Sequence, residues 1–419
     1  MTSPAEDLVR GHIHKSGPIS FETFMEVALY SDVGYYRNKD IFGLRGDYYT
    51  SPHLHPIFGA MFALQIERMW EIMGSPANLY VIEQGGGDGT LAVDISTAVS
   101  SLNVSLYESL KYVCVDRQKI EIEDSFRIQF AESEHISIED QTCIILSNEL
   151  VDSFPVRMIE IIDKEIFEVF VDLDDKGDFI ESLMPLNVSE LAGFLPRDIQ
   201  NLDGYRGPIN MKTREWYSNL SNVMNKGFMI TIDYGFEKDL YYSMQKSHRL
   251  LQTYYRHTEG SSPYQRIGSQ DLTAHVDFDS LREIGLSNGF EEIEYLSQSE
   301  WLDSMGLANI LQQLRVGPDK NRAMVNLIST LQDPSGLGGF KVLIQGKNLG
   351  NIDLERLNSD ISWPLISGFQ MLGRFTWPTV EKEVRLITLI SSRSLSTFSS
   401  CCYETSVPYH FVRRPHRSA

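Results

Sequence analysis

In the stretch Val81-Ile-Glu-Gln-Gly-Gly-Gly-Asp-Gly-Thr-Leu91, an apolar run leads into an acid and then into glycines at alternate positions before a helical segment. This order is the strongest indication of the fold in the sequence. Glycines let a ligand approach the backbone closely. A dinucleotide fingerprint, Gly-x-Gly-x-x-Gly, needs a small residue at position 90, where Thr90 stands. The pattern acid-x-Gly-x-Gly-x-Gly fits better. A plain flexible turn is the alternative, and the surrounding sequence favours a functional loop.

Short apolar runs around this stretch are typical of strands buried on both faces of a parallel sheet. The four runs are 79–83, 112–116, 143–147 and 228–233. Helical stretches separate them, and this alternation predicts a doubly wound α/β fold with helices on both faces of the sheet. Two later runs, 290–296 and 340–344, would supply strands at one edge and bring the sheet to six or seven strands.

Residues 1–75 are predicted to form an N-terminal helical region. Apolar side chains recur at helical spacing over 19–30, where Ser20 is the expected N-cap, and again over 56–74, behind Pro56. The main domain is predicted to follow this region, over residues 76–347.

One segment interrupts the alternation of strands and helices. The runs 156–162 and 166–172 flank a turn at Asp163-Lys164 and predict an antiparallel hairpin. We therefore interpret 155–226 as an insertion that forms a hairpin and helical cap. Residues 348–419 are predicted to be a C-terminal extension that is partly disordered.

Charge and composition exclude several classes of protein. The 419 residues contain 37 Lys and Arg against 57 Asp and Glu, a formal net charge of −20. This balance opposes binding to nucleic acid, which requires cations to neutralise phosphates. No apolar run reaches the roughly 18 residues of a membrane helix. The few cysteines, the absence of a metal-ligand spacing and an N-terminus unlike a signal peptide predict a cytoplasmic protein without a metal site.

Asp116 ends the second apolar run and is the first candidate ligand-binding side chain outside the glycine stretch. An ionised Asp has two acceptor oxygens, which suit two hydroxyl donors. The alternative is that Asp116 caps the next helix. The glycine pattern followed by Asp116 resembles the first two motifs of class I S-adenosylmethionine (SAM) methyltransferases. This resemblance implies a Rossmann-like sheet, with the glycines under the methionine part of SAM and Asp116 on the ribose hydroxyls.

A second polar cluster, Asn148, Glu149 and Asp152, follows the third apolar run, where open α/β sheets bind ligands. A guanidinium acceptor would need one or two carboxylates to hold it and localise its charge, and the spacing of Glu149 and Asp152 suits this task. Asp233 and Tyr234 end another run and are expected to line the same mouth. The alternative is that Asn148 and Asp152 cap the connection.

The candidate residues fall into two groups. The cofactor-binding candidates are Glu83, Gly85, Gly87, Gly89, Thr90, Asp116 and Asn148. The catalytic candidates are Glu149, Asp152, Asp233 and Tyr234.

Blocks of residues from about 17 to 347 resemble the protein arginine methyltransferases of the mitochondrial complex I assembly factor type and their bacterial relatives. The blocks are Gly17–Phe21, Gly34–Tyr36, Gly46–Pro52, 83–91, Asn148-Glu149 with Asp152 and Pro155, Asp233–Gly235, Tyr255–His257 and Gln270–Phe278. The resemblance implies a SAM-binding fold with an inserted cap and N-terminal helices. In the mitochondrial members it implies methylation of an arginine on a complex I subunit.

The chain departs from that family pattern at three places. Gly86 and Asp88 stand where members usually have Pro and Arg, and His53 and Ser269 each replace a usual Glu. A cation near the cofactor carboxylate thus becomes an anion, and two acids expected to face the substrate channel are lost. Each charge-assisted hydrogen bond contributes roughly 1.5–3 kcal/mol, so a cationic substrate would be affected directly.

The sequence therefore predicts a class I SAM-dependent methyltransferase whose acceptor is a nitrogen or oxygen nucleophile, with a protein arginine favoured. Two alternatives stay open: a methyltransferase of small molecules, and a non-catalytic assembly protein on the same scaffold. The predicted partner is a protein or small-molecule methyl acceptor. The oligomeric state is open, with a homodimer as one alternative.

Overall fold

A computed structural model of the chain describes residues 2–37, 50–118, 127–132, 138–186, 191, 193–256, 258–316, 322–350 and 357. The predicted C-terminal extension lies outside these residues, apart from 348–350 and 357. So do positions 46–49 and His257 of the family blocks. Within the described ranges, no helix combines the length and the apolar content that crossing a bilayer requires.

The N-terminal segment forms two helices and a short strand. They are α1 (Pro4–Ser16), β1 (Ile19–Ser20) and α2 (Phe21–Tyr30). The Ser20 hydroxyl accepts a hydrogen bond from the Thr23 N–H at 3.2 Å, which confirms the predicted N-cap of α2.

Two further helices precede the central sheet. They are α3 (Ser51–Leu54) and α4 (Ile57–Ile72). α4 begins after Pro56, as predicted, and is buried on most of its surface. Phe58 and Phe62 of α4 pack against the ring of Trp301, so the C-terminal helices cover α4 on its far side.

The central sheet has seven strands in the order β16-β17-β10-β5-β2-β3-β4. These are β2 (Leu79–Gln84), β3 (Leu110–Asp116), β4 (Ile128–Glu132), β5 (Gln141–Asn148), β10 (Met224–Asp233), β16 (Glu291–Ser297) and β17 (Lys341–Lys347). The first five are mutually parallel, and β17 lies antiparallel between β10 and β16. The sequence missed β4 because its side chains are only partly buried and form no apolar run.

Helices cover both faces of this sheet, which confirms the predicted fold class. They are α5 (Thr90–Leu102), α6 (Val104–Ser109), α7 (Lys212–Val223), α8 (Lys238–Tyr241), α9 (Phe278–Ser287), α10 (Gln298–Ser304), α11 (Leu307–Val316) and α12 (Arg322–Thr330). Alternate strand residues enter different cores. Val81 and Ile144 pack with α4, α5 and α10, whereas Ile82 and Ile145 pack with α7 and α9.

The predicted insertion contains a second sheet. Its strands are β6 (Arg157–Ile162), β7 (Glu165–Leu173), β8 (Phe179–Pro185) and β9 (Arg206–Ile209). β6 and β7 pair as an antiparallel hairpin, as predicted, and Asp163 and Lys164 at its turn both have positive φ. β1 pairs with β7, so α1 and α2 pack on this sheet while α4 packs on the central one.

Short strands complete the described fold. They are β11 (Gly235–Phe236), β12 (Leu251–Tyr255), β13 (Thr258–Glu259), β14 (Asp271–Ala274) and β15 (Val276–Asp277). The sequence did not predict these short strands. β12 pairs with both β13 and β14, and burial of β14 on every residue removes the alternation that would have marked it as a strand.

Candidate active site

A cavity of about 1340 Å³ opens at the carboxyl ends of β2, β3 and β5, between α2 and α7. The chain reverses its strand order there, because β3 pairs with one edge of β2 and β5 with the other. Ligands of open α/β sheets bind at this position. Small-molecule pockets usually measure roughly 300–1,000 Å³, so this cavity has room for two ligands side by side.

The glycine loop forms one wall of the cavity. Gly85, Gly87 and Gly89 have φ of 72°, 58° and 82°, which is the left-handed region that favours glycine. The Gly85 N–H donates to the Val115 carbonyl at 2.9 Å, which ties the loop to β3. A Cβ on Gly85 would lie 2.7 Å from a methyl group of Leu150. Gly85, Gly87 and Thr90 line the cavity, whereas Gly89 caps α5 behind it.

Asp116 fixes the loop and faces the cavity. Its Oδ2 accepts a hydrogen bond from the Gly87 N–H at 3.0 Å, and its Oδ1 accepts one from the Gln118 N–H at 3.0 Å. Burial raises the pKa of Asp116, and these backbone donors work against that rise. Each oxygen keeps a further lone pair for a donor from a ligand.

Glu83 lies at the floor of the cavity, beneath the glycine loop, and its side chain is 3% exposed. The Tyr112 hydroxyl donates to Glu83 Oε2 at 2.7 Å. Burial raises the pKa of Glu83 to about 8, and the Tyr112 hydrogen bond only partly offsets this. Burial therefore disfavours the charged form of this carboxyl. A role for Glu83 in binding the cofactor stays a prediction.

The departures at positions 53 and 88 meet in the structure. His53 Nε2 lies 2.9 Å from Asp88 Oδ2, and His53 Nδ1 lies 2.8 Å from the Thr50 hydroxyl. Burial acts to raise the pKa of Asp88, but the His53 hydrogen bond and charge, together with hydrogen bonds from Thr90, outweigh it and lower the value to about 2. Both side chains line the cavity. Ser269 is exposed and does not line it, so only one of the two positions with a lost acid faces the channel.

The end of β5 supplies the opposite wall. Glu149 has φ of 52°, which is strained for a residue with a side chain, and its N–H donates to the Ile232 carbonyl at 2.8 Å. The Asn148 side-chain amide donates to Glu149 Oε1 at 3.1 Å. Burial, and then the nearby charge of Asp152, raise the pKa of Glu149 to about 8. Glu149 and Asn148 both line the cavity.

Asp152 and Asp233 are buried behind Glu149, with the half-buried Tyr234 beside them, and none of the three lines the cavity. Asp233 is 0% exposed, and its carboxylate accepts hydrogen bonds from the N–H groups of Val151, Asp152 and Tyr234. The expectation that Asp233 and Tyr234 line the mouth is thereby corrected, because these backbone bonds turn the acid inward. The Tyr234 hydroxyl bonds to Asp152, and burial raises the pKa of Asp152 to about 6. A catalytic role for the three residues stays a prediction.

Sequence reasoning missed the side chains that α2 and α7 contribute to the mouth. Glu22, Glu26 and Tyr30 come from α2, and Lys212 and Trp216 come from α7. The spacing of Glu22 and Glu26 by one helical turn was visible in the sequence. The surface that this face of α2 meets was not, because it depends on the pairing of β1 with β7.

The residues of the cavity fit SAM. The lone pairs of Asp116 suit the ribose hydroxyls, and the glycine loop offers an approach to the backbone. Asn148 Oδ1 is buried and has no hydrogen-bond partner among the described residues, so it can accept a bond from a cationic or amine donor. No group of three or more His, Cys, Asp or Glu side chains in the described part of the chain could hold a metal ion.

Comparisons with known proteins agree with this geometry. A family model described as S-adenosyl-L-methionine-dependent methyltransferase matches residues 61–296. The protein arginine methyltransferase NDUFAF7 homolog, mitochondrial, of Drosophila melanogaster is 27% identical over 377 residues, which cover 80% of this chain and 83% of that protein. The Xenopus tropicalis NDUFAF7 is 26% identical over 410 residues, 90% of this chain and 85% of its own.

A solved structure gives the same result. A protein from Burkholderia thailandensis, bound to S-adenosyl-homocysteine, superposes with a TM-score of 0.73 at 26% identity and covers 84% of this chain and 94% of its own. The predicted resemblance and the predicted cofactor are confirmed. Because the family model matches more than half of the chain, the chain belongs to the family of S-adenosyl-L-methionine-dependent methyltransferases.

Proposed function

We propose that this methyltransferase transfers the methyl group of SAM to arginine side chains of protein segments. The observation that carries the proposal is the acidity of the cavity. Eight Asp and Glu side chains line its described surface, against three Lys and Arg side chains. Burial raises the pKa of two of these acids, Glu83 and Glu149, to about 8, and the other six still outnumber the cations. This lining attracts a cation, and an arginine side chain is always charged. The names of the curated relatives support the same acceptor.

Glu149 is the side chain that we expect to hold the acceptor. SAM, when bound, supplies a methyl group on a positively charged sulfur. An arriving guanidinium lowers the pKa of the buried Glu149 carboxyl, which then ionises and orients the acceptor nitrogen by charge-assisted hydrogen bonds. The nitrogen loses a proton as it gains the methyl group. The ionised Glu149 carboxylate, already hydrogen-bonded to the acceptor, is placed to accept that proton.

The test is transfer of labelled methyl from SAM to proteins. The purified enzyme is incubated with labelled SAM and a cell extract, and the protein and small-molecule fractions are separated. Label on arginine in protein hydrolysates supports the proposal. Label in the small-molecule fraction alone supports the alternative acceptor class, and an enzyme that binds no SAM supports the non-catalytic alternative.

Small-molecule acceptors are favoured by one observation. Position 53, which lines the cavity, carries a histidine hydrogen-bonded to Asp88 where the family pattern has a glutamate, so one carboxylate that could hold a cationic acceptor is missing there. The cytoplasmic location and the homodimer stay predictions, and the curated relatives are named as mitochondrial.

A further inference from the structure

Tyr30, at the end of α2, touches both walls of the cavity. Its hydroxyl donates to the carbonyl of Ser153 at 2.8 Å and lies 2.9 Å from the Ser153 hydroxyl, on the loop that carries Glu149. The face of its ring lies under the guanidinium of Arg117, whose central carbon is 3.9 Å from the ring centre. Both partners line the cavity.

Arg117 connects Tyr30 to Asp116 and the glycine loop, the wall of the cavity that we expect to bind the cofactor. It follows Asp116 in the chain, and its N–H donates to the Asp116 carboxylate. Its guanidinium is held in place by Glu26, whose Oε1 lies 3.0 Å from Arg117 Nη1. Glu26 and Tyr30 are one turn apart on α2, so one helix face grips the residue that follows Asp116.

The contact is suited to transmit order rather than to perform chemistry. Burial raises the pKa of the Tyr30 hydroxyl above its usual value, so it remains a donor at all working pH values. Ser153 closes the single helical turn Val151–Ser153, whose first N–H groups are held by Asp233. A shift of Ser153 therefore moves the turn that follows Glu149.

We propose that Tyr30 is a positioning residue that couples the two halves of the cavity, so that a ligand on Asp116 orders the loop 149–153 through Arg117, the Tyr30 ring and Ser153. A ligand on Asp116 restrains Arg117, and the Arg117 guanidinium restrains the Tyr30 ring on which it stacks. The Tyr30 hydroxyl in turn restrains Ser153. The loop 149–153, which carries Glu149 and forms the wall where we expect the methyl acceptor to bind, is then ordered only when the cofactor is bound. This inference rests on the confirmed cofactor and not on the identity of the acceptor.

The test is hydrogen exchange of the full chain, measured by mass spectrometry with and without saturating S-adenosylhomocysteine. In the wild type, the ligand is expected to slow exchange both in the glycine loop and in residues 149–154. In Tyr30→Phe, the glycine loop keeps its protection, because the ligand still binds. Protection of 149–154 falls about tenfold, within the usual range of coupling between two sites.

A matched control is Tyr36→Phe. The Tyr36 ring lies 5.2 Å from the Tyr30 ring, but its hydroxyl donates to Asp271 and not to Ser153. This variant should keep the wild-type protection of 149–154. Glu26→Gln loosens the other end of the contact and should reduce the protection without removing the Tyr30 hydroxyl, so it carries the test if Tyr30→Phe proves unstable.

A direct contact between the glycine loop and the loop 149–153 offers an alternative route for the coupling. Leu150 packs over Gly85, so the glycine loop also touches the acceptor loop directly. Equal protection of 149–154 in the wild type, Tyr30→Phe and Glu26→Gln would show that this direct path carries the coupling, and the proposal would be overturned. Failure of arginine methylation would leave the exchange result unaffected, so the two proposals fail separately.

Discussion

The two halves of the cavity are built in different ways. The cofactor half comes from one continuous stretch, 83–91, and from Asp116, and glycine conformations and backbone hydrogen bonds set its shape. The acceptor half is assembled from α2, from the loop after β5 and from α7, and it works through side chains. A main-chain site depends on few residue types and survives sequence change, whereas a side-chain site changes whenever one of its remote elements changes.

The largest effect is expected from Asp116→Ala, which removes the carboxylate that we expect to bind the ribose hydroxyls of SAM. It should raise the dissociation constant of SAM about 100-fold or more, since charge-assisted hydrogen bonds contribute roughly 1.5–3 kcal/mol each. Calorimetric titration measures this constant. Asp175→Ala, on an exposed turn of the inserted sheet, is the control and should bind SAM like the wild type. Unchanged affinity in Asp116→Ala would remove Asp116 from the cofactor site.

Glu149→Gln should separate the two halves, because it leaves cofactor binding intact and lowers the rate of transfer about 100-fold. The wild-type kcat/KM for the acceptor should rise with pH and level off above about 8, because the pKa of Glu149 is about 8 and only the ionised carboxylate holds a cation. The variant should lack this pH dependence. A variant that binds SAM and transfers at the wild-type rate would contradict the role of Glu149.

Gly85→Ala tests the contact between Gly85 and Leu150, where the two halves of the cavity touch; we call this contact the seam. The added methyl group meets Leu150, and φ of 72° is unfavourable for alanine by about 1–2 kcal/mol. We expect a loss of stability of at least this size in urea denaturation. Gly11→Ala is the matched control: it lies in α1 with open space around it and should be neutral or stabilising by roughly 0.5–1 kcal/mol. Equal stabilities of the two variants would show that the seam tolerates a side chain.

The smallest effect is expected from the His53 and Asp88 pair. A double-mutant cycle with His53→Gln and Asp88→Asn should give a coupling energy of about 0.2–1 kcal/mol in urea denaturation, because Asp88 is 43% exposed. The more sensitive measurement is carboxyl NMR. The pKa of Asp88, about 2 beside His53, should rise in His53→Gln, since burial is then opposed only by the contacts with Thr90. An unchanged value would show that His53 does not hold Asp88.

The sequence placed the glycine loop and Asp116 at the same end of the sheet, as the structure does, because these residues lie close together in the chain. Their contact with the cofactor stays a prediction. The strand, the glycines and Asp116 follow one another within about 35 residues, and the same order decides the geometry. Glu149 was also found, because a strand end fixes its place. Asp233 was misplaced because two of its backbone hydrogen bonds come from Val151 and Asp152, about 80 residues earlier in the chain. Tyr30 and Glu26 were missed because their position follows from contacts across the whole chain.

The pairing of β1 with β7 has a consequence for synthesis. Ile19 lies opposite Val171, and Ser20 lies opposite Phe170. The first 30 residues leave the ribosome long before the β6–β7 hairpin on which they pack. Phe21 and Phe24 of α2 therefore stay exposed until that hairpin has been translated. The acceptor wall is thus completed late during translation, and chaperones that shield apolar helices are expected to act on the nascent N-terminus.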